Sequence, residues 1–265
     1  MVLTAVALLV CYAATLRGMV DQWSSDDDMS HGFLVPPVIL WIVWRERARW
    51  RALPPEPSLW GFAVLVFGAL LQFSAVLGVG LFAGALALLF SIAGAVICLG
   101  GFTWLRILAF PLLLAVFTLP KLAIVYNQMT LPLQLIASRI AVGILRIAGI
   151  GAIRDGNILD VGGHKVAVAE ACNGIRYLLS LGFMAVVLAY LFDSKTWMRL
   201  ALLAGAVPIA IFANAIRVAA VGWLPSLESG VPHIAAGAAL FVVCLVALVL
   251  LRVLLNYTFF RAYSH

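Results

Sequence analysis

The residues best suited to chemistry lie in the run 170–176, where a polar stretch of the chain becomes a long apolar one. Within this run, Cys172 has Glu170 two residues before it and Arg176 four residues after it. A thiol at the start of a helix and close to a cation is held more readily as the nucleophilic thiolate. The other cysteines lie inside apolar runs, where a cysteine is usually a small apolar filler. Cys172 is therefore a candidate nucleophile at a membrane surface.

Other polar side chains lie at the ends of apolar segments. Arg217 follows Asn214 by three residues, so both fall on one helical face. His233 and His31 each begin an apolar segment. An ionisable group in a span is costly unless it is paired or hydrated, so these groups are functional candidates. Structural roles stay open for these residues. Arg217 could extend its guanidinium to the membrane–water interface, and each histidine could simply begin a helix or a turn.

The composition is that of an integral membrane protein. Of the 265 residues, 65% are hydrophobic and 11% are charged, whereas a soluble domain is about half apolar and a quarter charged. Apolar runs of this length favour membrane helices over a barrel. The net charge of +6 is scattered, so no nucleic-acid partner is expected. The spacing of cysteines and histidines indicates no metal site or disulfide framework, and no cofactor fingerprint is present.

Eight apolar segments are long enough, or nearly so, to cross about 30 Å of hydrocarbon. They are roughly 2–20, 31–44, 59–77, 81–99, 102–119, 174–192, 199–222 and 233–254. The first lacks the basic start and the small-residue cleavage site of a signal peptide, so it is predicted to remain as a span. A further segment, 131–150, is less apolar and carries Gln134, Ser138, Arg139 and Arg146. It is predicted to lie at the interface as an amphipathic helix.

Basic residues orient the predicted spans. The strongest basic cluster follows the second span and consists of Arg45, Arg47, Arg49 and Arg51. The positive-inside rule marks this loop as cytoplasmic, which places 120–173 on the outer side with eight spans. The candidate residues named above then gather at the outer face. If 131–150 also crossed the membrane, Cys172 would move inside and the charge asymmetry would weaken, so eight spans are preferred.

The segment 151–171 is the sizeable polar stretch of the second half. Residues 157–168 read as two short strands around Gly162 and Gly163, so a small extracytoplasmic hairpin is predicted to lead into Cys172. A solvated side chain is the default for His164 in this hairpin. The predicted fold is an all-α polytopic membrane protein of about eight transmembrane helices, with an interfacial helix and this hairpin. Residues 1–265 are predicted to form a single transmembrane domain.

The ordered motifs resemble those of the exosortase/archaeosortase family, whose members are multi-spanning cysteine transpeptidases. Four regions carry the resemblance, in the family's order: Ser30-His31-Gly32-Phe33-Leu34-Val35-Pro36, Glu170-Ala171-Cys172-Asn173-Gly174-Ile175-Arg176, Asn214-Ala215-Ile216-Arg217, and His233 with Gly237. The similarity extends from about residue 20 to about residue 250. The family more often has serine where this chain has Asn173, which leaves the subfamily and the substrate motif open.

The resemblance implies a role for each site residue. Cys172 would form a thioacyl-enzyme, His233 would act as general acid and base, and Arg217 would stabilise the oxyanion or orient the acyl group. Arg176 would lower the pKa of the thiol or bind a substrate carboxylate, and Asn214 would orient Arg217. Supporting candidates from the same motifs are Glu170, Asn173 and His31.

The resemblance also implies the substrate and the place of action. Family substrates are secreted proteins whose C-terminal tail holds a short motif, Pro-Glu-Pro in the bacterial type, followed by an apolar helix and basic residues. The enzyme would act in the cytoplasmic membrane with its active site facing the exterior. Its partners would be these sorting tails and the surrounding lipid, while the acceptor of the processed protein stays unknown.

Three alternatives stay open from the sequence. A transporter would use polar residues inside spans, although no carboxylate pair at the membrane midplane and no broken-helix repeat is evident. A non-catalytic scaffold for polysaccharide export would not need Cys172. A membrane cysteine protease that only hydrolyses would share the thioacyl step and differ in the nucleophile that resolves it.

Overall fold

The computed structural model describes residues 2–168, 174–192 and 195–263, with side chains described as far as Tyr257. The helices are α1 (Val2–Cys11), α2 (Ala13–Ser25), α3 (Val35–Arg45), α4 (Arg47–Arg51), α5 (Trp60–Ser74), α6 (Leu81–Leu114), α7 (Ala123–Ile147), α8 (Ile175–Phe192), α9 (Thr196–Trp223) and α10 (Gly230–Tyr263). The strands are β1 (Ala152–Asp155), β2 (Ile158–Val161) and β3 (His164–Ala167). Short helical turns cover Asp27–Phe33, Ala75–Val79, Ala115–Thr118 and Pro225–Leu227.

Six helices of the described chain are long and apolar enough to cross a membrane. They are Trp60–Val79, Leu81–Thr118, Ala123–Ile147, Ile175–Phe192, Thr196–Trp223 and Gly230–Tyr257. A seventh span results if α1 and α2, which meet at an angle of 68°, form one broken span. The all-α polytopic membrane class is therefore confirmed, and the count of eight stays a prediction.

Three of the predicted spans differ in the structure. The segment 31–44 begins inside the turn Asp27–Phe33, and the helix that follows, α3, has 11 residues. That is about 16 Å, which is shorter than the hydrocarbon core. The predicted spans 81–99 and 102–119 form one long helical element that is interrupted at Gly101, where φ is 75°. A Cβ there would collide with the carbonyl of Glu56, so the break requires glycine.

The chain divides into two compact units, Met1–Leu122 and Ala123–His265. In the second unit, α8, α9 and α10 enclose a core rich in leucine and alanine, including Leu181, Leu202, Ala206 and Leu248. Small side chains let membrane helices approach closely, so packing replaces the hydrophobic drive that is missing in lipid. The prediction of a single domain stays a prediction.

Helix α7 packs part of its polar face against the sheet. Gln134 and Ser138 are buried, and they contact the turn between β1 and β2. Asn157 Nδ2 donates to Gln134 Oε1 across 2.9 Å, and Ser138 Oγ donates to the Gly156 carbonyl across 3.2 Å. The polar residues Gln134 and Ser138 of this helix therefore contact the sheet. Its predicted interfacial location stays a prediction, since α7 is also long enough to span.

The sheet is antiparallel in the order β1-β2-β3. The predicted hairpin is confirmed by β2 and β3, whose register pairs Val161 with His164 around two glycines of positive φ. The strand β1 was not predicted. Leu159 and Val168 point into a core shared with Ala141, Leu145 and Val218, which attaches the sheet to α7 and α9.

Candidate functional site

Three of the predicted site residues, Glu170, Cys172 and Asn173, lie outside the described residues. The described chain resumes at Gly174, and α8 begins at Ile175, three residues after Cys172 in the sequence. Of the remaining candidates, Arg176, Asn214, Arg217 and His233 belong to the second unit, whereas His31 belongs to the first.

The central contact of the second unit joins Arg217 on α9 to His233 on α10. Arg217 Nη2 lies 2.6 Å from His233 Nε2, although the two residues are 16 positions apart in the chain. Arg217 is only 7% exposed, so its charge is held inside the protein and does not extend to the interface. A guanidinium can only donate hydrogen bonds, so the imidazole Nε2 accepts.

The other ring nitrogen of His233 is fixed by the loop that precedes α10. His233 Nδ1 lies 2.8 Å from the carbonyl oxygen of Leu227, in the turn Pro225–Leu227. A carbonyl oxygen can only accept, so Nδ1 carries the proton and donates. Both contacts therefore select one neutral tautomer, in which Nε2 holds the lone pair. That nitrogen is the basic one, and it faces Arg217.

Tyr177 supports the pair from α8, and its role was missed in the sequence. Its ring lies 5.8 Å from Arg217 Cζ, within range of a cation–π interaction. Its hydroxyl donates to the carbonyl of Gly237 across 3.3 Å, so one side chain connects α8, α9 and α10. The available signal was a phenol in the first turn of an apolar helix, since a buried tyrosine hydroxyl usually needs a partner.

Asn214 lies one helical turn before Arg217 and is 2% exposed. A Cβ added to Gly174 would approach Asn214 Nδ2 to 3.2 Å, so Asn214 packs directly against the backbone that leads into α8. Gly174 has a φ of 81°, which glycine adopts at little cost. The Asn214–Arg217 face therefore meets both the start of α8 and the start of α10. Arg176 is half-buried in the first turn of α8.

A cavity of about 280 Å³ adjoins the Arg217–His233 pair. Its remaining lining is apolar and comes from α9, α10 and the loop between them. The residues that lie along it include Ile216, Ala220, Ala236, Ala239, Leu240 and Val243. Hydrogen bonds and charges act more strongly in such surroundings than in water. A guanidinium that donates and an imidazole that exchanges a proton can here stabilise an oxyanion and move a proton.

His31 has a structural setting within the first unit. It is 4% exposed, and its ring nitrogens each lie 3.1 Å from a backbone carbonyl oxygen, that of Asp28 for Nδ1 and that of Phe117 for Nε2. A Cβ on the neighbouring Gly32 would collide with the indole of Trp23, so the turn needs glycine. Of the two interpretations left open by the sequence, the structural turn is the one these contacts favour.

Next to this turn, Lys121 binds two carboxylates. Its Nζ lies 2.6 Å from Asp26 Oδ2 and 3.0 Å from Asp28 Oδ2. Burial lowers the pKa of Lys121, but the hydrogen bonds and the charges of the two carboxylates outweigh it and raise the pKa above its ordinary value. This cluster holds the turn against the end of the helical element that contains Phe117.

His164 on β3 connects the sheet to the loop that carries Leu227. Its Nε2 lies 3.9 Å from Glu228 Oε2, and both side chains are partly exposed. Within residues 2–168, 174–192 and 195–263, no three histidine, cysteine, aspartate or glutamate side chains come together as a metal site would require.

The family model described as transmembrane exosortase matches residues 23–250, which is most of the chain. No curated protein and no solved structure matches this chain. The matched range includes every predicted site residue, from His31 to His233.

Proposed function

Because this chain belongs to the transmembrane exosortase family, we propose that it is a membrane cysteine transpeptidase that cleaves the C-terminal sorting signals of secreted proteins. Family membership itself indicates a membrane protein involved in processing such signals. In this mechanism Cys172 forms the thioacyl-enzyme, His233 transfers protons, and Arg217 stabilises the negative charge of the oxyanion. The contact between Arg217 and His233 is the observation that supports it most.

In the first step, the Cys172 thiol loses its proton to His233, and the thiolate attacks the carbonyl carbon of the scissile peptide. The carbonyl oxygen becomes an oxyanion, which accepts hydrogen bonds from the Arg217 guanidinium. The carbon–nitrogen bond then breaks, and His233 returns the proton to the leaving amine. The tail departs as an amine, and the rest of the substrate remains as a thioester on Cys172.

In the second step, a nucleophile from an envelope acceptor, or water, attacks the thioester. His233 takes the proton of this nucleophile, the carbon–sulfur bond breaks, and the proton passes to the Cys172 sulfur. Transfer and hydrolysis thus share every residue and differ only in the attacking group. Asn214 is proposed to orient Arg217, and Arg176 is proposed to bind the substrate. Glu170 and Asn173, which neighbour Cys172 in the sequence, are proposed as supporting residues.

The resting hydrogen bond has a consequence for the first step. Arg217 Nη2 donates to the same lone pair of His233 Nε2 that must accept the thiol proton. When the substrate carbonyl arrives, its oxygen competes for the guanidinium N–H groups and releases Nε2. Proton transfer is thereby coupled to substrate binding. Without substrate, His233 Nε2 stays hydrogen-bonded to Arg217.

The site is proposed to lie at the outer face of the cytoplasmic membrane. Helix α8 begins, α9 ends and α10 begins at the Arg217–His233 end of the second unit, next to the sheet. With eight spans and the arginine-rich loop 45–51 in the cytoplasm, the positive-inside rule predicts that this end faces outward. A secreted protein held by an apolar tail presents the start of that tail at this depth.

The test is mass spectrometry of C-terminal peptides from the host's secreted and envelope proteins. It compares wild type with Cys172→Ala, and uses Cys11→Ala as a matched control because Cys11 is an exposed cysteine in an apolar helix. A small set of proteins should keep their apolar tails in Cys172→Ala and in His233→Gln, but not in Cys11→Ala. The mass added to each new C-terminus in wild type identifies the acceptor, or shows hydrolysis.

Unchanged C-termini in a Cys172→Ala strain that contains normal amounts of the variant would reject the enzymatic proposal. A transporter or an export scaffold would then be the better description. If processing requires Cys172 but adds no mass to the new C-termini, the protein is a protease that hydrolyses its substrates, and the proposed transfer to an acceptor is rejected.

A further inference from the structure

Helix α10 leaves one face open along its whole length. Only 11% of its span is buried inside the protein, against 44% for the span of α9. Most of that exposure is ordinary for a lipid-facing helix. What distinguishes this face is a pair of cavities along the seam between α9 and α10, one at each end of the helix.

The first cavity is the one that adjoins Arg217 and His233. The second measures about 720 Å³ and is lined by apolar side chains, together with the ring of Tyr257. On α9 it contacts Gly205 and Pro208, and on α10 it contacts Ala247, Leu250 and Leu254. Both cavities are thus formed between the same two helices.

Six of the α10 residues that line the two cavities form a single stripe. They are Ala236, Leu240, Val243, Ala247, Leu250 and Leu254, and together they are called the α10 groove. Successive members are three or four positions apart, which puts them on one helical face. From His233 to Tyr257 the helix rises about 36 Å, which is more than the roughly 30 Å of the hydrocarbon core.

The residues that line the groove are of the kind found where membrane helices pack together. Small residues line the two cavities on both helices, with Gly205 and Ala220 on α9 and Ala236, Ala239 and Ala247 on α10. Transmembrane helices associate through such residues, because close backbone approach supplies the van der Waals contact that drives packing in lipid. A rigid helix loses less conformational freedom in a preformed groove than a flexible acyl chain does.

The two ends of the groove differ in chemistry. One end holds the guanidinium of Arg217 and the imidazole of His233, and the rest of its length is apolar. An occupant that complements it carries peptide carbonyl groups at the polar end and about one membrane thickness of apolar helix below them. A polypeptide anchored by a terminal transmembrane helix has both features.

We propose that the α10 groove binds the transmembrane helix of the substrate and thereby delivers the adjoining peptide bond to Arg217 and His233. This inference rests on the proposed function and deepens it by assigning the surface that recognises the tail. Recognition then depends on helix packing along the membrane depth as well as on the residues around the scissile bond.

The first test is site-specific photocrosslinking in the full-length enzyme carrying Cys172→Ala, which leaves the substrate uncleaved. The photoreactive amino acid replaces Leu240, Ala247 or Leu254 in the groove. Control positions on the same helix are Val242, Val246 and Val249, which are 57%, 53% and 44% exposed and do not line either cavity. Groove positions should capture the tail helix at least about fivefold more than the controls. Equal capture, or capture of lipid or a second enzyme copy alone, would overturn the proposal.

The second test fills the groove in the active enzyme. Ala247→Phe should lower processing of tail-anchored substrates at least about tenfold, whereas a soluble peptide without the helix should be cleaved at an unchanged rate. Ala238→Phe is the matched control, because Ala238 is an exposed alanine of α10 that does not line the cavities. If wild type processes tails and Ala247→Phe processes them equally well, the groove is rejected and the proposed function stands. If the wild-type enzyme processes no tails, both the groove and the proposed function are rejected.

Discussion

Arg217 and His233 share a hydrogen bond of 2.6 Å between Nη2 and Nε2, and the Leu227 carbonyl holds the opposite side of the imidazole at 2.8 Å. The imidazole is therefore positioned from two sides by groups with fixed polarity. Its basic nitrogen lies against a cation in an apolar cavity.

Replacing His233 with Gln should keep the contact to Arg217 and abolish proton transfer. The glutamine carbonyl can accept the Arg217 hydrogen bond, but the side chain has no titratable nitrogen, so processing should fall by about 10²- to 10⁴-fold. Arg217→Lys should lose about 10²-fold, since a lysine keeps the charge without the planar fork of donors. Turnover of a purified tail substrate measures both, with melting temperature as the control for folding. Activity near wild type in either variant would remove that residue from the catalytic set.

The hydroxyl and the ring of Tyr177 should make separable contributions, the first to stability and the second to turnover. Tyr177→Phe loses the hydrogen bond to Gly237 and should cost about 1 kcal/mol of stability, with the ring still facing Arg217. Tyr177→Leu also loses the cation–π contact, which is worth about 0.5–2 kcal/mol, and should process tails several-fold more slowly than the phenylalanine variant. Thermal unfolding and kcat are measured on the same preparations. Equal kcat for Phe and Leu would show that the ring does not position Arg217.

Gly174 should resist substitution because of its backbone conformation. Its φ of 81° is unfavourable for alanine by about 1–2 kcal/mol, and the new Cβ would also press on Asn214. Gly143 in α7 is the matched control, because it is helical and a Cβ there meets no heavy atom within 4 Å. Gly143→Ala should be neutral or stabilising by up to about 1 kcal/mol. Thermal unfolding compares the two, and equal shifts in both variants would contradict the prediction.

Lys121 should stabilise the first unit over a defined pH range. A group whose pKa is raised by folding contributes fully below its unfolded value, 10.5, and that contribution is lost as the pH rises through the higher folded value. Lys121→Met should therefore cost about 1–3 kcal/mol at neutral pH, because it leaves Asp28 without its cation, and the difference from wild type should shrink above about pH 10.5. Lys165→Met, at an exposed strand position, is the control.

The same cluster predicts the reactivity of the amine. With its pKa raised, Lys121 should acylate more slowly at pH 9 than in the Asp26→Asn, Asp28→Asn variant, because less free amine is present. Peptide mass spectrometry after a brief exposure to an acylating reagent measures the rate at each lysine. An unchanged rate in the double variant would show that the carboxylates do not hold the proton.

Much of the architecture could be predicted because it depends on local composition. Apolar runs of span length and the positions of turn residues are properties of short segments, so the helical membrane class and the β2–β3 hairpin were predicted correctly. The strand β1 was not predicted, and it is held in the sheet by antiparallel pairing with β2. The contact between the polar face of α7 and the sheet was not predicted, because periodicity shows that a face is polar but not what covers it.

The sequence by itself determined which residues have the chemistry for catalysis and placed each near the end of an apolar segment. Only the tertiary structure decided which of them meet. It joined Arg217 to His233, added Tyr177 and the Leu227 carbonyl, and surrounded His31 with backbone acceptors in the first unit. The physical reason is that helical periodicity sets the direction of a side chain only relative to its own helix axis. Contacts between helices depend on how those axes pack, and that depends on side chains distant in sequence.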